Sequence, residues 1–311
     1  MAVILFTCVV LFLNVQISII HFNQFIVVLI RQLIFAVTFS FLFLACNTSK
    51  KKLQLTNTSR YNLMNPVVIK LPESLNEISG ITYYSKDTAV FAIEDEDGLL
   101  YKINLNQKGA IKKWRFDKKH DFEDVVLRDS IFYVLISNGD IETVRFGKGD
   151  SVITGKSQFP DASKKTNEFE SLYYDDSLQQ LVLLCKNCED DGHKKVTAWG
   201  YNIATQVYTP SVYEIDVQPI AEKLGIDKMK LKPSAVAINP VTNEFYILAS
   251  VNKLLVITDR QGKFKEVYEL DPAIYKQPEG IAFTASGDMI ISNESHETGV
   301  ATILVIKNNI K

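Results

Sequence analysis

From Pro66 onward the apolar residues fall in short runs broken by turn residues, not in the three-and-four spacing of helices. Ala89–Glu94, Ile131–Ser137, Gln180–Lys186, Glu244–Ser250 and Asp288–Asn293 are the strongest runs. They are rich in the β-branched and aromatic residues that suit a pleated, packed surface. A weaker run precedes each, and a third follows after a turn, as in Leu99–Leu105 and Leu254–Asp259. A more polar fourth run closes the unit, as in Ala110–Phe116 and Lys263–Leu270. Ser-Lys-Asp, Asp-Gly, Asn-Gln-Lys-Gly, Asn-Gly-Asp and Ser-Gly-Asp punctuate the steps, and such residues tolerate turn geometry. Four short strands per roughly 40–50 residues is the unit of a β-propeller blade. Residues 218–230 break the pattern and predict a small helix.

The first run of each unit carries a recurring motif. The copies are Glu77-Ile-Ser-Gly-Ile, Glu123-Asp-Val-Val-Leu, Glu170-Ser-Leu-Tyr-Tyr, Pro233-Ser-Ala-Val-Ala-Ile and Pro278-Glu-Gly-Ile-Ala-Phe. Ser234 and Glu279 take the acidic position in the last two, and the intervals are 46, 47, 64 and 45 residues. Near-equal spacing marks a structural repeat, and the long third interval holds an insertion. The last unit lacks a fourth strand, while Pro66–Leu71 is a strand with no unit of its own. Pairing the two would close a ring and remove exposed edges. The expectation is an all-β, five-bladed β-propeller over residues 65–311, closed by an N-terminal strand. Six blades is the alternative, if the insertion hides a degenerate one.

The N-terminus reads as an address. Residues 1–45 contain one Arg, one His and no Asp, Glu or Lys. The apolar run 33–45 follows Arg31 and ends at Cys46, with the polar stretch Asn47-Thr-Ser-Lys-Lys-Lys beyond. Its length suits a signal-peptide core better than a spanning helix. It resembles a bacterial lipoprotein signal with Cys46 as the lipidated residue, although Phe43 and Leu44 are bulky for that role. A transmembrane anchor is the other reading. Residues 1–30 come ahead of the charged start that a signal should have, and are either untranslated or an extra span. Residues 1–46 are therefore expected to target the membrane, and 47–64 to form a flexible tether.

Charge narrows the partners. The net charge is −2, and no basic tract exceeds Lys50-Lys51-Lys52, which argues against nucleic-acid binding.

The repeat also places chemistry. Equivalent residues on the innermost strands fall on one ring around the central channel, so Glu77, Glu123, Glu170 and Glu279 should converge near one mouth. Like charges that close raise one another's pKa. They need a cation, or bonds to backbone amides or to Lys and Arg. Calcium suits clustered carboxylates in flexible geometry. The ends of the second strands, carrying Asp95, Glu96, Asn138, Lys186, Asn293 and Glu294, should reach the same rim. His120 and His296 flank it and could serve as bases beside a metal. Cys185-Lys-Asn-Cys188 ends a strand and has no second pair for a zinc site. A local disulfide, free thiols, and a metal or redox role all remain open.

Glu77-Ile-Ser-Gly-Ile, Asp121-Phe-Glu-Asp, Phe169-Glu-Ser-Leu, Lys232-Pro-Ser-Ala and Gln277-Pro-Glu-Gly-Ile together resemble the SdiA-regulated family. These are bacterial envelope proteins distantly similar to NHL-repeat propellers. The resemblance implies a five-bladed propeller with a bound calcium ion at Glu77, Glu123, Glu170 and Glu279, or a subset of them. It implies no defined activity. The expectation is a membrane-anchored, calcium-binding module of the cell envelope, facing outside the cytoplasm and engaging a protein or small molecule. The alternative is a calcium-dependent hydrolase of lactones, esters or phosphate esters working on the channel face.

Overall fold

The computed structural model describes residues 58–106, 109–160, 166–295 and 299–310. The expected leader, the expected lipidation site at Cys46 and residues 47–57 of the expected tether lie outside these. Among the described residues no helix is long and apolar enough to cross a membrane.

Five antiparallel, four-stranded sheets make up the domain. Blade 1 is β2 (Ile78–Tyr84), β3 (Ala89–Glu94), β4 (Asp97–Asn104) and β5 (Lys112–Lys119). Blade 2 is β6 (Phe122–Arg128), β7 (Ile131–Ile136), β8 (Ile141–Phe146) and β9 (Val152–Ser157). Blade 3 is β10 (Asn167–Asp175), β11 (Gln180–Cys188), β12 (Lys195–Asn202) and β13 (Val207–Asp216). Blade 4 is β14 (Ala235–Asn239), β15 (Glu244–Ala249), β16 (Leu254–Thr258) and β17 (Phe264–Glu269). Blade 5 is β18 (Gln277–Phe283), β19 (Met289–Glu294) and β20 (Thr302–Ile306), completed by β1 (Val67–Lys70) from the start of the domain.

The closure is the one expected from the orphan strand. Val67 pairs with Val305 and Lys70 with Thr302. The insertion adds no sixth blade; it extends blade 3 and forms α1 (Gln218–Leu224). That helix has a proline in its first turn and stops at Gly225, whose φ of 69° only glycine adopts without strain.

Position in the blade explains the burial. β3, β7, β15 and β16 are buried along nearly their whole length, because both faces of a blade pack on neighbours. The outermost β9 and β13 are largely exposed. Aromatic contacts fill the seams. Phe91 meets Phe132 at 4.6 Å between blades 1 and 2, and Tyr173 meets Phe245 at 5.1 Å between blades 3 and 4.

Residues 58–64 are part of the folded domain, which corrects the boundary placed at residue 65. Tyr61 and Leu63 are buried in the core between blades 4 and 5. Tyr61 donates its hydroxyl hydrogen to the Gly287 carbonyl at 2.6 Å and accepts the Asn239 Nδ2–H at 2.6 Å. An aromatic ring with both hydrogen-bonding functions satisfied is an anchor, not a linker residue.

Candidate functional site

A β-bulge recurs at one place on the innermost strands. In β6 the pairing jumps from Phe122↔Ile136 to Asp124↔Leu135, leaving Glu123 unmatched. In β10 the unmatched residue is Glu170, and in β18 it is Glu279. A bulge re-aims one side chain, and here all three glutamates line a single cleft of about 790 Å³. In β2 the bulge lies between Ile78↔Glu94 and Ile81↔Ala92. Gly80 there corresponds to Gly280, so Ser79 and not Glu77 holds the ring position. The ring is Ser79, Glu123, Glu170, Ser234 and Glu279.

The two serines bind backbone across the seams. Ser79 Oγ donates to the Glu123 carbonyl at 2.6 Å, and Ser234 Oγ to the Pro278 carbonyl at 2.7 Å. Glu77 still lines the cleft, from two residues outside the ring. The spacing of 46 concealed this slip, because Glu-x-Ser-Gly-Ile and x-x-Glu-Gly-Ile align through the glycine and not through the acid.

A second layer comes from the ends of the second strands. The pairings Ile78↔Glu94, Phe122↔Ile136, Phe169↔Cys185 and Pro278↔Asn293 make Asp95, Ser137, Lys186 and Glu294 equivalent. Ser250 holds the place in blade 4. Of the expected rim residues, Asp95, Lys186 and Glu294 line the cleft. Glu96 points to solvent and pairs with Lys119 at 2.8 Å. Asn138 caps its own turn, its Oδ1 accepting the Asp140 N–H at 3.0 Å. Asn293 is buried, accepting the Gln277 N–H at 3.1 Å and donating to Ile274 and Thr302. His120 stands beside Asp117 at 3.2 Å and does not line the cleft. His296 lies outside the described residues. Ser79, Ser250, Lys253 and Gln277 line the cleft without having been expected. Their types vary from blade to blade, so no repeated letter marked them.

The cleft is electrostatically divided. On the side of blades 2 and 3, Lys186 pairs with Glu170 and lies 3.2 Å from Glu168. Burial, with Asp121, Glu279 and Glu168 nearby, still pushes Glu123 well above the usual carboxylate range, against the pull of Lys186. On the side of blades 5 and 1, Glu77, Asp95, Glu279 and Glu294 face one another. Burial and the Glu77 carboxyl push Asp95 up to about 7, and burial with Glu279, Asp95 and Glu77 does the same to Glu294. Asp95 Oδ1 is buried without a hydrogen-bond partner. Buried acceptors are rarely left so. These carboxylates fit a cation: the donors are hard oxygens, and an orphaned one waits among them. The fit is for flexible, oxygen-rich coordination, since the cleft glutamates do not form a group of three donors within 4.8 Å among the described residues. Glu77, Asp95, Glu279 and Glu294 would hold the ion. Lys186 already supplies the positive charge that Glu170 needs.

The alternative role considered for the glutamates, fastening blades through backbone amides, falls to Asp124. It is buried, with Oδ2 accepting the Leu172 N–H of blade 3 and Oδ1 its neighbour Val125 N–H, both at 2.8 Å. Cys185 and Cys188 are joined in a disulfide, which settles the pair in favour of the first of the three readings. The bridge flanks Lys186.

No curated protein matches the chain. A luciferin-regenerating enzyme shares 11% identity over 79% of this chain and 96% of that one, with a TM-score of 0.49. Regucalcin from Agrobacterium tumefaciens, a calcium-binding protein, shares 11% identity over 81% and 96%, with a TM-score of 0.48. Glutaminyl cyclase from Myxococcus xanthus shares 14% identity over 78% and 97%, with a TM-score of 0.49. Identities this low say nothing of chemistry. The family model for SdiA-regulated proteins matches residues 58–297, the span over which the five inner strands repeat, and the chain belongs to the SdiA-regulated family.

Proposed function

We propose that the protein is a calcium-dependent binding module of the cell envelope, tethered to a membrane through its N-terminus, with the channel cleft as its ligand site. One observation carries this reading: Glu77, Asp95, Glu279 and Glu294 converge on one side of the cleft with too little positive charge among them. A calcium ion supplies the missing charge and takes hard oxygens at flexible geometry. Lys186, Lys253 and Lys276 also line the cleft and offer ammonium groups to a negatively charged or carbonyl-bearing ligand. A small molecule or a projecting loop of a protein partner fits a cleft of this size.

The disulfide between Cys185 and Cys188 supports a location outside the cytoplasm, where such bonds persist. The leader ending at Cys46 supports lipid anchoring. The hydrolytic alternative would use the same cleft, but His120, one of the two histidines it would recruit, is engaged with Asp117.

Calcium titration of the full chain by calorimetry tests the reading, together with thermal melting with and without a chelator. A ligand present at 100 times its Kd stabilises by about 2.7 kcal/mol, so saturating calcium should raise the melting temperature by several degrees. Asp95→Asn with Glu294→Gln should abolish the rise. No heat and no shift at millimolar calcium would overturn the metal assignment. Incorporation of labelled palmitate, lost in Cys46→Ala, is the expected result for the anchor.

A further inference from the structure

Away from the cleft, the described residues bring donor side chains together in two groups. One is the bonded cysteines with Asp191, whose carboxylate is occupied by the Thr197 N–H and hydroxyl. The other is Asp117, His120 and Glu142, whose donor atoms all lie within 4.8 Å of one another.

This second group straddles a seam. Asp117 is on β5 and His120 just beyond its end, both in blade 1, whereas Glu142 is on β8 of blade 2. His120 Nε2 lies 3.2 Å from Asp117 Oδ2. The imidazole is set by an edge-on contact with Phe122, at 5.7 Å between ring centres and 84° between planes. Glu142 is 4% exposed, and one of its carboxylate oxygens lies within 4.8 Å of one of Asp117. Two carboxylates this close, one of them buried, repel each other unless a positive charge stands between them. Lys156 is the nearby ammonium, 3.6 Å from Glu142 and 3.3 Å from Asp140. It is shared, and one ammonium does not balance three carboxylates.

We infer that Asp117, His120 and Glu142 form a binding site for a divalent first-row transition-metal cation, zinc being the probe of choice, at the seam between blades 1 and 2. One imidazole nitrogen with two carboxylate oxygens selects zinc over calcium, which takes oxygen alone. At bond lengths of about 2.1 Å, tetrahedral donors stand about 3.4 Å apart, so the group has to close only modestly. The histidine is on the exposed connection and can move in, while Glu142 is the fixed wall. Bound metal would pin two blades together. The site is independent of calcium in the cleft.

The test is zinc titration of the full chain by calorimetry, with the visible absorption of the cobalt-substituted protein as a second readout. The expected result is a zinc ion that calcium does not displace. His120→Ala should weaken it by about tenfold or more and abolish the cobalt bands. Asp95→Asn with Glu294→Gln, which alters only the cleft, should leave both unchanged. His120 has a half-exposed side chain, so its variant should melt like the parent in the absence of metal. It decides the matter even where the buried Glu142→Gln fails to fold. Equal zinc affinity in the parent and His120→Ala, or no binding at micromolar zinc, would overturn the inference.

Discussion

Asp124 on blade 2 accepts the backbone N–H of Leu172 on blade 3 at 2.8 Å, and both residues are buried. Its neighbour Glu123 turns the other way, into the cleft. The bulge at Glu123 makes this division of labour, sending one acid to bind backbone and the next to line the channel. Asp124→Ala would leave two buried N–H groups unpaired, at about 1–3 kcal/mol each. A loss of about 2–4 kcal/mol in urea unfolding is expected, and less for Asp124→Asn, whose carbonyl keeps one bond. Stability within about 0.5 kcal/mol of the parent for Asp124→Ala would refute the fastener role.

Asp95 and Glu294 make stability depend on pH with an unusual sign. Both are raised to about 7 in the folded protein, against ordinary unfolded values near 4. Between about pH 4 and 7 the folded state therefore binds more protons than the unfolded one, and these groups lower stability as pH rises. Metal-free protein should lose part of its stability across that window. Asp95→Asn with Glu294→Gln should flatten the slope, and calcium should do so in the parent. Melting temperatures from pH 5 to pH 8, with chelator and with calcium, read this directly. A parallel slope in parent and variant would rule it out.

Lys186 supplies the cation for Glu170 and Glu168. Removing it leaves those acids, and Glu123 beside them, with less countercharge. Lys186→Gln should destabilise the metal-free protein at pH 8 more than at pH 5. It should also tighten calcium binding, by about threefold to tenfold if one charge interaction of about 1 kcal/mol is released. Weaker calcium binding in the variant would place the ion elsewhere.

Closure by β1 predicts that the ring fails without it. A chain beginning after Lys70 leaves β20 as an open edge and removes the Tyr61 anchor. Loss of a cooperative melt and concentration-dependent aggregation are expected. Tyr61→Phe is the milder probe. It strands the Gly287 carbonyl and the Asn239 amide, for a loss of about 1–3 kcal/mol. A parent-like melt of the truncated chain would mean that three strands suffice for blade 5.

The blade repeat was legible because it is written in periodicity. β3 begins with its apolar run at Ala89 and passes that run's end at Ile93 by one residue, Glu94, since a strand packed on both faces is mostly apolar. The orphan strand before the first repeat implied the closure because an unpaired edge is costly. The convergence of Glu123, Glu170 and Glu279 followed from their equal place in the repeat. Glu77 did not follow, because the bulge register is set by which residue lies opposite Glu94 and Ala92 on β3, and identical letters two positions apart look alike in one dimension.

The sequence by itself therefore determined what depends on local pattern: all-β strands, five units, their order and the closing partner. Only the tertiary structure decided what depends on neighbours far along the chain. It chose which acid is paired with Lys186 and which is left short of charge. It brought Tyr61 back against Gly287, and it joined His120 to Glu142 across a seam. Burial and charge balance are properties of the assembled space, where residues tens or hundreds apart in the chain share one dielectric environment.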